Sequence, residues 1–294
     1  MQKNILTECS NPRTRDIDLM TTAEIIDCIN KEDRKVVRAV AQAKEAITQA
    51  VDCIVNSIRQ GGRVAYFGAG TSGRLGVLDA SELLPTYSLP PHIIQGYIAG
   101  GDSALRHSAE HAEDNKKFAL NDLNAFNPTS QDVVIGISAS GNPAYVLTIL
   151  QEAQKRGCQT IGITCNPEAK LKEYSNICIT AAVGAEVITG SSRMKAGTAQ
   201  KMILNMLSTT AMIKIGKTYG NFMIDGTPTC NKLIDRSNRI ISSICKISIA
   251  KAEEYRIKAN NNVKTACIMY KKQCSREEAE LLLKKHNGIL RKVI

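Results

Sequence analysis

Between Arg63 and Lys217 short apolar runs alternate with longer stretches of helical spacing, and this alternation most limits what the chain can become. The runs at 63–67, 92–98, 132–137, 158–164 and 176–180 have the length and character of buried strands. Helices are expected at 73–84, 102–124, 141–156 and 195–217. Such interleaving predicts an α/β fold, a parallel sheet flanked by helices. In such sheets ligands bind beyond the carboxyl ends of the strands. Ahead of the sheet, residues 20–63 show apolar positions at helical spacing, with Thr21 or Thr22 as a cap and Gly61-Gly62 as the stop. A break at "TYGNFMIDGTPTCN" precedes a long helix expected to start near 229. The end reads as a helix with Ser275 and Glu278 at capping-box spacing, then a glycine turn and a short helix. The expected division is N-terminal helices packing on the core over 1–60, an α/β domain over 61–225 and a small C-terminal helical domain over 226–294.

The bulk properties exclude several classes. A chain of 294 residues that is 43% hydrophobic can bury a sizeable core. The most apolar stretch, "KMILNMLSTTAMIKIG", carries two lysines and an asparagine and reads as a buried helix, not a membrane span. The N-terminal "MQKNILTECSNPRTRDID" lacks the apolar core of a signal peptide. The ten cysteines form no C-x-x-C, which argues for reduced thiols in a cytoplasm rather than a zinc site or redox pair. The net charge of +10 is concentrated in residues 231–294, with 15 Lys+Arg against 6 Asp+Glu. These cations lie in helical sequence with few aromatics, the pattern of a solvated helical surface rather than a nucleic-acid footprint.

Two turns in the sheet have the chemistry of phosphate sites. The first, "GAGTSGR", follows strand 63–67 and offers Thr71 and Ser72. The second, "GISASGNP", follows strand 132–137 and offers Ser138, Ser140 and Asn142. Each combines glycine, backbone N–H groups, hydroxyls and a helix N-terminus, which suits a phosphate dianion. Gly68-x-Gly70-x-x-Gly73 also has the outline of a dinucleotide turn. NAD is the weaker reading, because the next strand ends at Ile98-Ala99 without an acid for the ribose. Asp102 comes 34 residues after Gly68, late for that role. A capped tight turn would explain either loop alone; two in one sheet favour a phosphorylated small molecule.

A third cluster is "EVITGSSRMKAGTAQK". Ser191 or Ser192 is positioned to cap the helix at 195–217, and Arg193 and Lys195 stand near its positive end. Cations there oppose the helix dipole by about 0.3–1 kcal/mol each, which suggests an anionic ligand nearby; the alternative is two solvated side chains. Glu82 and Glu113, each ordinary as a helix surface residue, become an acid–base pair if both reach a sugar-phosphate pocket. Glu82 is nine residues past Gly73, about 14 Å along a straight helix. Either the phosphate binds at the Ser138–Ser140 loop, or Glu82 serves a site shared across a dimer. His107-x-x-Glu110-His111 matches an inverted zinc-peptidase pattern, with Glu186 as a conceivable third ligand. That reading leaves both hydroxyl loops unexplained, and two partly exposed helix histidines explain it more simply.

The stretches "FGAGTSGRLGVLDASELLPTY", "YIAGGDSAL", "HAEDN", "GISASGNPAYV", "TCNP" and the run 186–223 resemble the N-acetylmuramic acid 6-phosphate etherases, over roughly 7–240. The resemblance implies a sugar-isomerase-type α/β three-layer sandwich and a homodimer. It also implies cleavage of the lactyl ether to N-acetylglucosamine 6-phosphate and D-lactate. Matching "DASE" and "AEDN" makes Glu82 the acid and Glu113 the base, with no metal and no other cofactor. Thr71, Ser72, Ser138, Ser140, Asn142, Ser191 and Ser192 are then expected on phosphate and sugar hydroxyls. Arg193 and Lys195 are expected on the phosphate or the lactyl carboxylate. A sugar-phosphate-binding regulator of the glucokinase-regulatory kind, which binds without turnover, and an aldose–ketose isomerase are the competing readings.

Overall fold

A computed structural model describes residues 6–226 and 230–294. The chain divides into two compact units, Met1–Ser81 with Pro91–Ser208, and Glu82–Pro90 with Thr209–Ile294. The N-terminal helices belong to the same unit as the sheet, and the second unit takes in Glu82–Pro90 and everything after Ser208. A composition shift cannot mark the second boundary, because it falls inside one continuous helix.

The first unit is built on a five-stranded, wholly parallel sheet in the order β2-β1-β3-β4-β5. The strands are β1 (Val64–Gly68), β2 (Ile94–Ile98), β3 (Val133–Ile137), β4 (Gln159–Thr164) and β5 (Ile177–Thr180). All five coincide with the apolar runs to within two residues. Every residue of β1 and β3 is buried, as expected for parallel strands covered on both faces. On one face Ala65, Phe67 and Val134 pack with α5 (Lys116–Phe126) and α6 (Ala144–Lys155). On the other, Tyr66 and Ile137 meet Gly76 of α3 (Gly70–Ser81). Ahead of the sheet stand α1 (Thr22–Gln42) and α2 (Lys44–Arg59). A capping box between Thr21 and Glu24 starts α1, and α2 packs against β1, β3 and β5.

The segment expected as one helix over 102–124 is broken. It forms 3-10 turns at Asp102–Leu105 and Ala112–Asp114, and α5 begins only at Lys116. Asn115 starts that helix by accepting from the Lys117 and Phe118 N–H groups at 2.9 and 3.2 Å. His111 sits in the left-handed region at φ +58°. His107 and His111 therefore do not share a helix face, which removes the geometric basis of the zinc-peptidase pattern.

In the second unit are α4 (Leu83–Tyr87), a two-strand hairpin of β6 (Thr218–Tyr219) and β7 (Phe222–Met223), and α8 (Asn231–Cys245). Three shorter helices follow: α9 (Ile249–Lys258), α10 (Val263–Lys272) and α11 (Arg276–Lys285), the last with the expected Ser275/Glu278 capping box. They enclose their own core around Ile241, Ala266, Cys267 and Ile268. The expected helix start at 229 lies outside the described residues. Among the described residues no helix is long and apolar enough to cross a membrane. The apolar run at 201–216 falls mostly within α7 (Lys195–Lys214).

Candidate functional site

The strand order reverses direction between β1 and β3, and at such a point an open sheet leaves a crevice at its carboxyl edge. Gly68 and Ile137 are register partners, so the two hydroxyl-rich turns that follow them start side by side. In the first turn Gly70 takes φ +53°. At Gly73 a Cβ would lie 2.6 Å from the Gly68 carbonyl oxygen, so only glycine lets α3 come this close to its own strand. Asp79 locks the same helix in place. Its carboxylate accepts from Tyr66 (3.2 Å) and, on α7, from Asn205 (2.8 Å) and Ser208 (3.1 Å). Burial raises the Asp79 pKa against the opposing pull of these bonds. The glycine triplet thus serves a close-packed strand–helix turn.

The second turn is pinned to the loop after β4. The Gly141 N–H donates to Ser138 Oγ (3.0 Å), the Leu171 N–H to the Gly141 carbonyl (3.0 Å) and Asn166 Nδ2 to the Ser140 carbonyl (3.1 Å). Gly141 has φ +72°, and a Cβ there would meet the Ala169 Cβ at 2.3 Å.

The two turns enclose a cavity of about 430 Å³. Thr71, Ser72, Glu113, Ser138, Ser140, Asn142 and Ser192 all line it. The N-termini of α3 and α6 both border it, and both favour an anion. Ser72 Oγ donates to Gln200 Oε1 at 3.0 Å, which orients the first turn. Glu113 is exposed, on the 3-10 turn rather than a helix, and also lines an adjoining cavity of about 300 Å³ with Arg74 and His111. Arg74 holds the loop around it by donating to the Leu105 and His107 carbonyls at 3.0 and 3.3 Å. Glu8 and Asp114 bring further carboxylates to the larger cavity, and among the described residues no lysine or arginine lines it.

Four expected site residues, Ser191, the exposed Arg193, Lys195 and Glu82, are not in the cavity lining. Lys195 is fully buried, and its ammonium contacts Glu32 (2.7 Å) and the Ala185 carbonyl (2.6 Å). Its charge is paired within the fold. Glu32 also pairs with Arg13 (2.8 Å) and Lys35 (2.7 Å). Burial pushes the Glu32 pKa up, but the hydrogen bonds from Lys195 and Arg13 outweigh it and leave the carboxyl below its usual range. Nor do Ser191 and Ser192 cap α7. The buried Glu186 carboxylate accepts from the Lys195 and Ala196 N–H groups at 3.1 and 2.9 Å. Burial, working against those two bonds, raises its pKa. Glu82 is exposed between α3 and α4, in the second unit. Ser81, the residue before it, lies about 16 Å along α3 from Gly70 at 1.5 Å per residue.

Sequence reasoning missed Thr7, Glu8, Glu32 and Gln200. One signal was available for Lys195, which shares the i, i+4, i+8 register of buried Ala199 and Ile203. A lysine on an apolar stripe is placed to be buried with a partner.

Two family profiles match the chain, the glucokinase regulatory protein N-terminal SIS domain over 46–154 and the SIS domain over 118–210. The N-acetylmuramic acid 6-phosphate etherase of Photorhabdus laumondii is 46% identical over 291 residues, covering 99% of this chain and 97% of that protein. The etherase of Shouchella clausii is 45% identical over 294 residues, covering 100% and 99%. The chain belongs to the N-acetylmuramic acid 6-phosphate etherase family. The fold extends further than the family. A phosphoheptose isomerase from Francisella tularensis superposes with a TM-score of 0.50 at 20% identity, over 65% of this chain and 100% of that one. This likeness shows a shared fold.

Proposed function

We propose that the chain is a carbon–oxygen lyase that cleaves the lactyl ether of N-acetylmuramic acid 6-phosphate, giving N-acetylglucosamine 6-phosphate and D-lactate. The observation that carries this reading is one cavity uniting two phosphate-grade turns with the Glu113 carboxylate, in a chain of the etherase family. Thr71, Ser72, Ser138, Ser140, Asn142 and Ser192 bind the phosphate and sugar hydroxyls. The open sugar has an aldehyde at C1, which acidifies its C2 proton. Glu113 takes that proton, the electron pair forms the C2–C3 double bond, and the C3–oxygen bond breaks. Glu82 gives its proton to the departing lactyl oxygen. Water then adds to the unsaturated aldehyde, the hydroxyl at C3 and a proton at C2. Such a sequence needs two carboxyls in opposite protonation states.

The site is shared between two copies of the chain in a cytoplasmic homodimer. Two observations support this. Glu82 follows the far end of α3 from the cavity, and among the described residues the cavity lining includes no lysine or arginine for a doubly anionic substrate. Arg193, exposed and outside the lining, is free to serve an anion at such an interface. In the Glu82→Gln variant, exchange of the C2 hydrogen with deuterated solvent should persist while lactate release stops. Loss of both together overturns the assignment of roles. Sugar-phosphate binding without turnover by the unaltered chain would instead favour a regulator, the reading that the match to a glucokinase-regulatory domain keeps open.

A further inference from the structure

The cavity has a wall that the two turns do not supply. The 3-10 turn Leu6–Glu8 brings Thr7 and Glu8 into its lining. Thr7 is 2% exposed, and its Oγ1 has no hydrogen-bond partner among the described residues. A buried hydroxyl left unpaired is costly, and a ligand that bonds it offsets that cost. Glu8 is exposed to the cavity, and a Cβ built on Gly190 would lie 3.2 Å from its Oε2.

The segment is tied to the stretch ahead of α7 by side-chain hydrogen bonds. Asn11 Nδ2 donates to the Ala185 carbonyl (3.3 Å) and Thr14 Oγ1 to the Val187 carbonyl (2.7 Å). Arg13 is tied to Glu32, and Glu32 to Lys195. The buried ion pair therefore has a role in the site although Lys195 never reaches it, because it anchors the segment that carries Thr7 and Glu8.

The chemistry of the pair selects what it meets. An ionised carboxylate only accepts hydrogen bonds, whereas a threonine hydroxyl donates or accepts. Glu8 repels a phosphate or a lactyl carboxylate and attracts O–H and N–H groups. We infer that Thr7 and Glu8 form a subsite for the neutral, hydrogen-bond-donating part of the ligand, the hydroxyls or amide N–H of the sugar, while the Thr71 and Ser138 turns hold its phosphate. This rests on the sugar-phosphate reading of the cavity.

The test is calorimetric titration of the whole chain with N-acetylglucosamine 6-phosphate and, separately, with inorganic phosphate. Thr7→Val and Glu8→Gln should each weaken the sugar phosphate by about tenfold, while Thr7→Ser stays within about twofold. Inorganic phosphate should bind Thr7→Val within about twofold of the unaltered chain, and Glu8→Gln equally or more tightly, since a repelling charge is gone. Glu8 is exposed, so its variant carries the test should Thr7→Val fail to fold. Unchanged sugar-phosphate affinity in the folded variants overturns the subsite alone, as does an equal loss for sugar phosphate and inorganic phosphate. Failure of the unaltered chain to bind the sugar phosphate overturns the underlying reading and the subsite with it.

Discussion

Replacing Lys195 by methionine should cost the fold more than it costs the ligand. The two partners of the ion pair are 0% and 3% exposed, so the variant strands a buried carboxylate and leaves the Ala185 carbonyl with only the longer Asn11 Nδ2 bond at 3.3 Å. Breaking a buried pair from one side costs about 3–5 kcal/mol. Glu32 keeps Arg13 and Lys35, whose side chains are 63% and 39% exposed. These partners hold the loss near the lower end, about 3 kcal/mol. At roughly 2–4 °C per kcal/mol for a chain of this size, Tm falls by about 6–12 °C in a calorimetric scan. The double variant Lys195→Met with Glu32→Met should recover most of that loss, because no lone charge remains. The pH dependence follows from the depressed Glu32 pKa. The folded carboxyl ionises below its unfolded value of about 4.3, so the stabilisation is present above that pH and fades as pH falls through the folded value. Lys195→Met should shrink this acid limb. A normal Tm with inorganic phosphate binding abolished would refute the reasoning and restore Lys195 as an anion ligand. So would a double variant as unstable as the sum of its parts.

Gly73→Ala should destabilise by about 1–3 kcal/mol in denaturant unfolding and weaken sugar-phosphate binding, because its Cβ meets the Gly68 carbonyl at 2.6 Å and Ile98 Cγ1 at 2.7 Å. Ser138→Ala should lower both Tm and phosphate affinity, since it orphans the Gly141 N–H, whereas Ser140→Ala should lower affinity alone. At Asp132, burial pushes the pKa up but is outweighed by bonds from Arg63 and the Thr129 N–H, leaving it depressed. Its stabilisation should be full above about pH 4 and lost below it, and Asp132→Asn should remove that limb from an acid-unfolding curve. Mixing the inactive Glu82→Gln and Glu113→Gln chains under exchange should restore about a quarter of the lactate-releasing activity if a two-fold dimer shares its sites, and none if each chain is self-sufficient.

The sheet was legible because strands covered on both faces read as unbroken apolar runs, and its hydroxyl turns follow from where those runs end. The segment from Asp102 to Asn115 was not. Its alanines and acids suit a helix, but Asn115 caps a later one and His111 takes a left-handed turn. Thr71, Ser72, Glu113, Ser138, Ser140 and Asn142 are near in space because their turns are near in the sheet. Lys195 and Glu32 are 163 residues apart, and no local pattern announces such a contact. Glu186, only nine residues before Lys195, took the capping role expected of Ser191 or Ser192, and the Thr7 hydroxyl has no partner among the described residues. Long-range pairing decides whether a polar residue serves the ligand or the fold.

The most direct measurement is lactate release from N-acetylmuramic acid 6-phosphate by the purified chain, with and without EDTA. Release that survives EDTA, with N-acetylglucosamine 6-phosphate as the second product, is the predicted result. No release while the sugar phosphate still binds would contradict the etherase account and leave a sugar-phosphate regulator in its place.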